Sequence, residues 1–254
     1  MNLKKVFYIV FLLSCITSMI HAATRGDIKI IEASESIRYL SQKMVKDYLF
    51  LYRYPQKKNV QDELDKTLKI LTENLRVIAT TTKDTGTKDI LEFLAYSKEQ
   101  IKEIFKQKTN EENAALMLDY SETLLEGADA IADAHIYDFT EEEKMLMTTK
   151  KVEYLLERIS KYYMAFNIGF NTHNNQEQLD SAIEHLKENI AKINAYGYSY
   201  EFQKDQLEMN IVWQETELYF KQSKELFIPS LLLFSVVYLE SIVDKIALYH
   251  SKNQ

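Results

Sequence analysis

The sequence predicts an all-α fold of two tandem up-and-down four-helix bundles that are related by internal duplication. Three observations lead to this prediction. The 254 residues include five glycines and two prolines, so that long segments contain no helix breaker. Apolar residues recur in these segments at steps of three, four and seven, as on one face of an α-helix. The chain also resembles itself at a constant shift of 115 residues.

The N-terminal residues have the layout of a secretory signal peptide. Lys4 and Lys5 precede the apolar run 6–13, and small or polar residues follow up to Ala22. We expect cleavage after Ala22, which makes residues 1–22 the signal and places the mature chain in the periplasm or outside the cell. The alternative is a lipoprotein in which Cys15 is acylated and retained.

The acidic character of the chain restricts its partners. The formal net charge is −7, and removal of the two signal lysines makes the mature chain more acidic still. Nucleic acids and anionic lipids bind basic patches, so we expect neither as a general partner. Since Cys15 is the one cysteine, a cleaved chain has no disulfide to stabilise it.

Eight helices are predicted after the signal peptide. The first follows from Ile30, Ile37, Leu40, Met44 and Tyr48, which form one apolar stripe. Similar stripes, separated by glycines, prolines and polar links, define the others. The predicted helices span about residues 27–54, 59–81, 88–107, 111–136, 141–169, 175–195, 199–226 and 229–251. Because the links are short, we expect neighbouring helices to be antiparallel.

The self-similarity divides the eight helices into two equal units. Residues that match at the shift of 115 include Tyr39 and Tyr154, Lys46 and Lys161, Tyr48 and Tyr163, Phe105 and Phe220, and His135 and His250. Since one ungapped register spans four helices, we predict a tandem duplication. The boundary lies near Phe139, where residues 140–143 form a capping box that begins the fifth helix. The predicted units are residues 23–139 and 140–254.

The first helix carries a motif of a known family. Its sequence IEASESIRYLSQKMVK (residues 31–46) resembles the opening helix of the PilJ-type N-terminal domain, the periplasmic helical sensor module of type IV pilus chemotaxis transducers. The matching positions are Ile31, Arg38, Leu40, Ser41, Gln42, Met44 and Lys46. Ser34 and Glu35 replace the Ala-Gly of the family. The resemblance implies a sensor function, two helical modules and a homodimer that forms through helix one.

A related module of nitrate-sensing histidine kinases binds an oxyanion, and this resemblance makes Arg38 the candidate ligand-binding residue. Ser41 and Gln42 lie one turn further along and offer more hydrogen-bond donors for a small anion. The second unit has Glu153 in place of Arg38, so an anion site of this kind belongs to the first unit alone. The alternative is structural, because Arg38, Gln42 and Lys46 at steps of four also fit a solvated helix face.

No pattern in the sequence indicates a catalytic or metal site, and we predict no cofactor. The chain has no cysteine cluster, metal-binding Glu-x-x-His pair or glycine-rich phosphate loop. His135 and His250 fall at helix ends, where the helix dipole favours them without a metal. The apolar run 227–239 is too short to span a bilayer, and we expect it in a buried last helix.

Two functions fit these observations. We predict an exported, non-catalytic, sensor-like protein that binds a small anion near Arg38 and passes a signal to a membrane receptor or another envelope protein. The alternative is a structural or adaptor protein of the cell envelope, associated with pili or secretion, without a small-molecule ligand. A bundle enzyme or a metal carrier is the least favoured class.

Overall fold

A computed structural model describes residues 25–221 and 228–253. These residues form α-helices and no β-strand, so the all-α prediction is confirmed for them. The helices are α1 (Arg25–Arg53), α2 (Lys58–Thr81), α3 (Thr85–Phe105), α4 (Glu111–Ala134), α5 (Glu141–Asn167), α6 (His173–Ala195), α7 (Tyr200–Lys221) and α8 (Pro229–Lys252). The predicted signal peptide and Cys15 lie outside the described residues, as does the predicted end of the seventh helix at 222–226.

Side-chain caps determine where several helices begin. The hydroxyl of Thr140 accepts a hydrogen bond from the backbone N–H of Glu143 at 3.2 Å, and the Glu143 carboxylate accepts one from the Thr140 N–H at 2.7 Å. The predicted capping box of α5 is therefore confirmed. The prediction that the third helix begins near residue 88 is wrong, because Asp84 accepts from the Thr87 N–H at 2.6 Å and caps a helix that begins at Thr85.

Two helices, α1 and α5, form the centre of the molecule. α1 packs against α2, α4 and α5, while α5 packs against α1, α6 and α8. The other contacts join α2 to α3, α3 to α4, α6 to α7 and α7 to α8. α1 and α5 run in the same direction, since Arg38 interacts with Tyr154 and Lys46 with Glu157. The N-terminal and C-terminal halves of the chain therefore lie side by side.

One apolar core extends through both halves. Ile37 and Met44 of α1 are fully buried, as are Leu156 and Ile159 of α5, and all four belong to the same cluster of packed side chains. Burial of one such side chain contributes about 1.5–3 kcal/mol, so the core is the main stabilising feature of a fold that has no disulfide among its described residues. The apolar stripe predicted for the first helix is confirmed as its core-facing side.

The polar line on α1 is also buried. Arg38, Gln42 and Lys46 are at most 7% exposed, so the interpretation of this line as a solvated face is wrong. The physical reason is that α1 has two further neighbours on this side, α4 and α5, which supply polar partners for all three side chains.

The last helix is buried on its inner side alone. Leu232 and Val236 of α8 are fully buried, whereas Phe234 is 69% and Val237 is 57% exposed. The expectation of a buried last helix is therefore wrong for its outer face, which has no neighbour among the described residues. In the part of the chain that the structure describes, no helix combines the length and the apolar content that crossing a membrane requires.

Candidate functional site

Arg38 lies between two carboxylates. Its guanidinium forms ion pairs with Glu35, one turn earlier in α1, and with Asp129 of α4. Burial opposes the charge of Arg38, but the two carboxylates outweigh it and raise the pKa of the guanidinium. An anion that approached Arg38 would have to displace at least one of these carboxylates.

The other two predicted ligand-binding residues are bonded within the protein. The Ser41 hydroxyl donates to the backbone carbonyl of Arg38 at 2.8 Å. The Gln42 amide donates to the Ser41 hydroxyl at 3.0 Å and to the backbone carbonyl of Ser121 at 3.3 Å. Ser41 and Gln42 are fully buried. The structure thus brings Arg38, Ser41 and Gln42 together, and anion binding by these residues stays a prediction.

The equivalent positions of the second half carry the opposite charges. Lys150 replaces Glu35 and Glu153 replaces Arg38 at the shift of 115 residues. The Lys150 ammonium lies 2.9 Å from the Glu153 carboxylate and 3.9 Å from that of Asp244, the residue that matches Asp129. A basic residue thus sits between two acidic ones in each half, but its place in the sequence has moved by one helical turn.

Beside Lys150 a groove of about 640 Å³ runs between α1, α5 and α8. It contains residues from both halves of the chain. The lining residues are Glu32, Glu35, Ser36, Tyr39, Leu146, Met147, Lys150, Glu153, Glu240, Asp244, Ala247, Leu248 and Ser251. Five of them are acidic, and Lys150 alone among these described residues is basic. The lining of the groove is therefore predominantly acidic.

Several of these carboxylates are in an environment that disfavours their charge. Burial raises the pKa of Glu153 to about 7. Burial, followed by repulsion from Glu157, also raises the pKa of Glu240. Burial raises the pKa of Glu35 despite its ion pair with Arg38. The Oε2 atom of Glu35 and the Oε1 atom of Glu240 are buried and have no hydrogen-bond partner among the described residues.

A buried ion pair lies below Glu240. The Lys46 ammonium of α1 is 2.7 Å from Glu157 of α5 and 3.5 Å from Asp47. Lys46 also attracts Glu240, so that one ammonium serves two carboxylates of α5 and α8. Lys43 attracts Glu240 as well, so two ammonium groups offset the negative charge at this end of the groove.

The acidic residues of the groove do not converge on one point. Among residues 25–221 and 228–253, no group of three or more His, Cys, Asp or Glu side chains is placed so that it could hold a metal ion. A metal ion requires several oxygen ligands within about 2.0–2.6 Å, which spread carboxylates cannot supply.

The groove could not be identified from the sequence, because its lining residues come from three helices that are far apart in the chain. The exchange of Glu35 for Lys150 at the repeat distance was the signal that could have indicated it. Comparisons of the chain with protein families, with curated proteins and with solved structures found no match. The resemblance of α1 to the PilJ-type domain therefore stays a prediction.

Proposed function

We propose that this chain is an exported, non-catalytic, sensor-like binding protein whose groove between α1, α5 and α8 takes a cationic ligand. The observation that carries the proposal is the acidic lining of the groove, in which the Oε1 atom of Glu240 is buried without a hydrogen-bond partner. A buried carboxylate without a partner is unfavourable, and a bound cation would remove that penalty.

The proposal includes two four-helix units, residues 23–139 and 140–254, that arose by duplication. Two contacts that recur at the shift of 115 residues support it. His135 lies 2.9 Å from Asp27, and His250 lies 2.5 Å from Glu142. The rings of Tyr48 and Phe105 are 6.2 Å apart, and those of Tyr163 and Phe220 are 6.1 Å apart, although the first pair is stacked and the second is edge-on.

A ligand in the groove would bridge the two units, because α1 belongs to the first and α5 and α8 to the second. Neutralising the carboxylates of Glu35 and Glu240 lets α8 approach α1. Such small sliding movements of packed helices are a known way to transmit a binding event. A membrane receptor or another envelope protein would bind the surface that includes α8 in its new position.

The proposed homodimer needs a different surface from the one that the PilJ resemblance implies. α1 is covered by α2, α4 and α5, and its exposed residues are Arg25, Lys29, Glu32 and Arg53. α1 offers little exposed surface to a second copy of the chain. We therefore propose dimerisation only through other faces.

Thermal unfolding in the presence of candidate ligands distinguishes a cation-binding site from an anion-binding site. We expect choline, arginine amide or spermidine to raise the melting temperature of the purified chain, and sodium nitrate at equal ionic strength to leave it unchanged. The cation effect should be lost in Glu240→Gln and kept in Arg38→Ala. Stabilisation by nitrate that disappears in Arg38→Ala, without any effect of cations, would replace this proposal by the anion hypothesis.

One observation favours the alternative function of an envelope adaptor. The outer faces of α7 and α8 expose large apolar side chains, among them Leu207, Ile211, Phe234 and Val237. Exposed apolar surface of this kind is common at protein interfaces. If the chain is an adaptor, the double variant Phe234→Lys, Val237→Lys should no longer co-purify with a protein partner from envelope extracts. Glu240→Gln should co-purify with it as the wild type does.

A further inference from the structure

The outer sides of α7 and α8 together form an apolar surface, the α7–α8 face. The Tyr238 hydroxyl of α8 donates a hydrogen bond to Glu208 of α7, and the Lys245 ammonium of α8 lies 3.6 Å from Asp205 of α7. These two contacts hold the outer sides of the two helices next to each other. The large apolar side chains of the face are between 43% and 69% exposed. They are Leu207, Ile211, Leu218, Leu231, Phe234, Val237, Tyr238 and Leu248.

The α7–α8 face is large enough for a stable dimer. An aromatic side chain buries about 150–250 Å² in full and a leucine somewhat less, so eight side chains that are about half exposed offer on the order of 700 Å². A specific interface buries about 800 Å² of each partner. Exposed polar residues of the same helices, such as Gln214 and Ser241, add the remainder.

The outer side of α8 has the spacing of a coiled-coil seam. The exposed residues of this seam are Leu231, Phe234, Tyr238, Ser241, Lys245 and Leu248. They follow one another at steps of three, four, three, four and three residues, the spacing at which two helices interlock. These steps are the same when the helix is followed in the opposite direction. A second copy of the seam that runs antiparallel therefore places each seam residue opposite another.

Antiparallel pairing also brings compatible side chains together. Leu231 meets Leu248 of the second copy, and the two bury each other. Phe234 meets Lys245 of the second copy, and the face of an aromatic ring attracts an ammonium. At the centre, a tyrosine meets a serine. Parallel pairing would instead place Lys245 against Lys245, a pair that like-charge repulsion opposes. The seam is thus complementary to itself in the antiparallel direction.

We propose that two copies of this chain associate through the α7–α8 face, with their α8 helices antiparallel about a two-fold axis at the height of Leu239 and Glu240. A two-fold axis makes both copies use the same surface, which a self-complementary seam permits. This inference rests on the proposed function for the homodimer, but not for the cationic ligand. A membrane surface fits less well, because helices that bind one carry Lys and Arg beside their apolar side, and residues 231–241 contain neither.

Sedimentation equilibrium of the purified chain measures the association. Interfaces of this size have dissociation constants from micromolar to picomolar, so we expect a dimer at micromolar protein. Phe234→Lys should raise the dissociation constant at least about hundredfold, because one buried ring is lost in each copy and each loss costs about tenfold or more. Phe93→Lys on α3 is the matched control, since Phe93 is 61% and Phe234 is 69% exposed. The control should dimerise as the wild type does.

Cysteine cross-linking tests the antiparallel register. Leu231 and Leu248 are about 26 Å apart along one helix at 1.5 Å per residue, whereas a disulfide requires Cα atoms within about 7 Å. The double variant Leu231→Cys, Leu248→Cys therefore cannot close a disulfide within one chain, and we expect it to form covalent dimers on oxidation. Each single variant should stay uncrosslinked at the same protein concentration. The wild type, oxidised in the same way, controls for Cys15.

The outcomes separate this inference from the proposed ligand. A wild-type chain that stays monomeric at high micromolar concentration, or a Phe234→Lys chain that dimerises as tightly as the wild type, would overturn the α7–α8 dimer. The face would then belong to another occupant, such as the envelope protein of the alternative function. Single cysteine variants that cross-link as well as the double variant would overturn the antiparallel pairing.

Two further measurements complete the test. Circular dichroism melts verify that each variant is folded. A monomeric chain whose melting temperature choline still raises would overturn the dimer and keep the cation site, whereas a dimer without any response to cations would keep the α7–α8 interface and remove the ligand.

Discussion

Charged side chains are buried where α1 meets α5. Lys46 and Lys161 occupy equivalent positions of the two halves, and both are at most 5% exposed. Lys46 pairs with Glu157, and Lys161 with Glu122 and the Ser121 hydroxyl. A buried ion pair adds little net stability over an apolar pair of the same volume, but loss of one partner leaves an uncompensated charge. Each lysine therefore stabilises the buried carboxylate beside it.

Replacement of Lys46 by methionine should destabilise the protein strongly at neutral pH. Glu157 would then lose its buried ion-pair partner and would repel Glu240, at a cost of about 3–5 kcal/mol by analogy with other broken buried pairs. The loss should shrink at pH 5, where Glu240, whose pKa is raised by burial, can take up a proton. Urea unfolding at the two pH values measures it, and Lys66→Met on the exposed face of α2 is the control. An equal loss at both pH values would contradict this account of the pair.

Glu153 should make the stability depend on pH. Its pKa in the folded protein is raised to about 7 by burial, from an ordinary value near 4.5. A raised pKa means that the stabilisation is complete below pH 4.5 and is lost as the pH rises through about 7. At 1.36 kcal/mol per unit, the loss by pH 8 is about 3 kcal/mol. We expect the melting temperature to fall between pH 5 and pH 8, and to fall less in Glu153→Gln; identical slopes would refute the assignment.

At the scale of the helices, apolar periodicity was sufficient to predict that the helices exist, their order in the chain and the side of the first helix that faces the core. Ile37, Met44 and Tyr48 are buried as their spacing indicates. Where tertiary partners decide, periodicity was not sufficient. Arg38 and Lys46 have the spacing of a solvated face, and only the contacts with α4 and α5 show why they are buried. The start of the third helix was also misjudged, because Asp84 caps a helix that begins at Thr85.

Close packing between α3 and α4 depends on a glycine. A Cβ atom at Gly127 would lie 2.5 Å from Cδ2 and 3.0 Å from Cγ of the fully buried Leu94. We expect Gly127→Ala to destabilise the protein, because overpacking of about 1–3 kcal/mol exceeds the helix-propensity gain of about 1 kcal/mol. In urea unfolding, Gly127→Ala and Leu94→Ala together should cost less than the sum of the two single changes, since the two residues are in contact.

A control for this variant is Gly197→Ala in the link before α7, where an added Cβ meets no atom within 4 Å. It should not reproduce the loss. A Gly127→Ala protein as stable as the wild type would mean that α3 and α4 are packed less closely than described.

For the molecule as a whole, the sequence predicted two equal halves and a set of matched residues, whereas the groove between the halves was not predictable. Its carboxylates come from α1, α5 and α8, and only the way in which α1 lies against α5 brings them together. The anion hypothesis followed from the resemblance of the first helix to a sensor module and from Arg38, Ser41 and Gln42 within it. Asp129, which forms an ion pair with the Arg38 guanidinium, is far from Arg38 in the sequence, and no spacing rule connects the two residues.

The continuous core predicts that the two halves unfold together. Trp213, the one tryptophan, is 5% exposed and reports on the C-terminal half, while far-ultraviolet circular dichroism reports on all helices. Because α1 and α5 share one apolar cluster, the two signals should give the same midpoint in a urea titration. Two separated transitions would instead indicate halves that are stable on their own.

The central claim is that a cation binds across the two halves of the chain, and a crystal structure of the protein grown with saturating spermidine tests it most directly. The account predicts continuous ligand density between α1, α5 and α8, with an ammonium group close to Glu240. An empty groove under these conditions, or a ligand bound elsewhere on the protein, would contradict it.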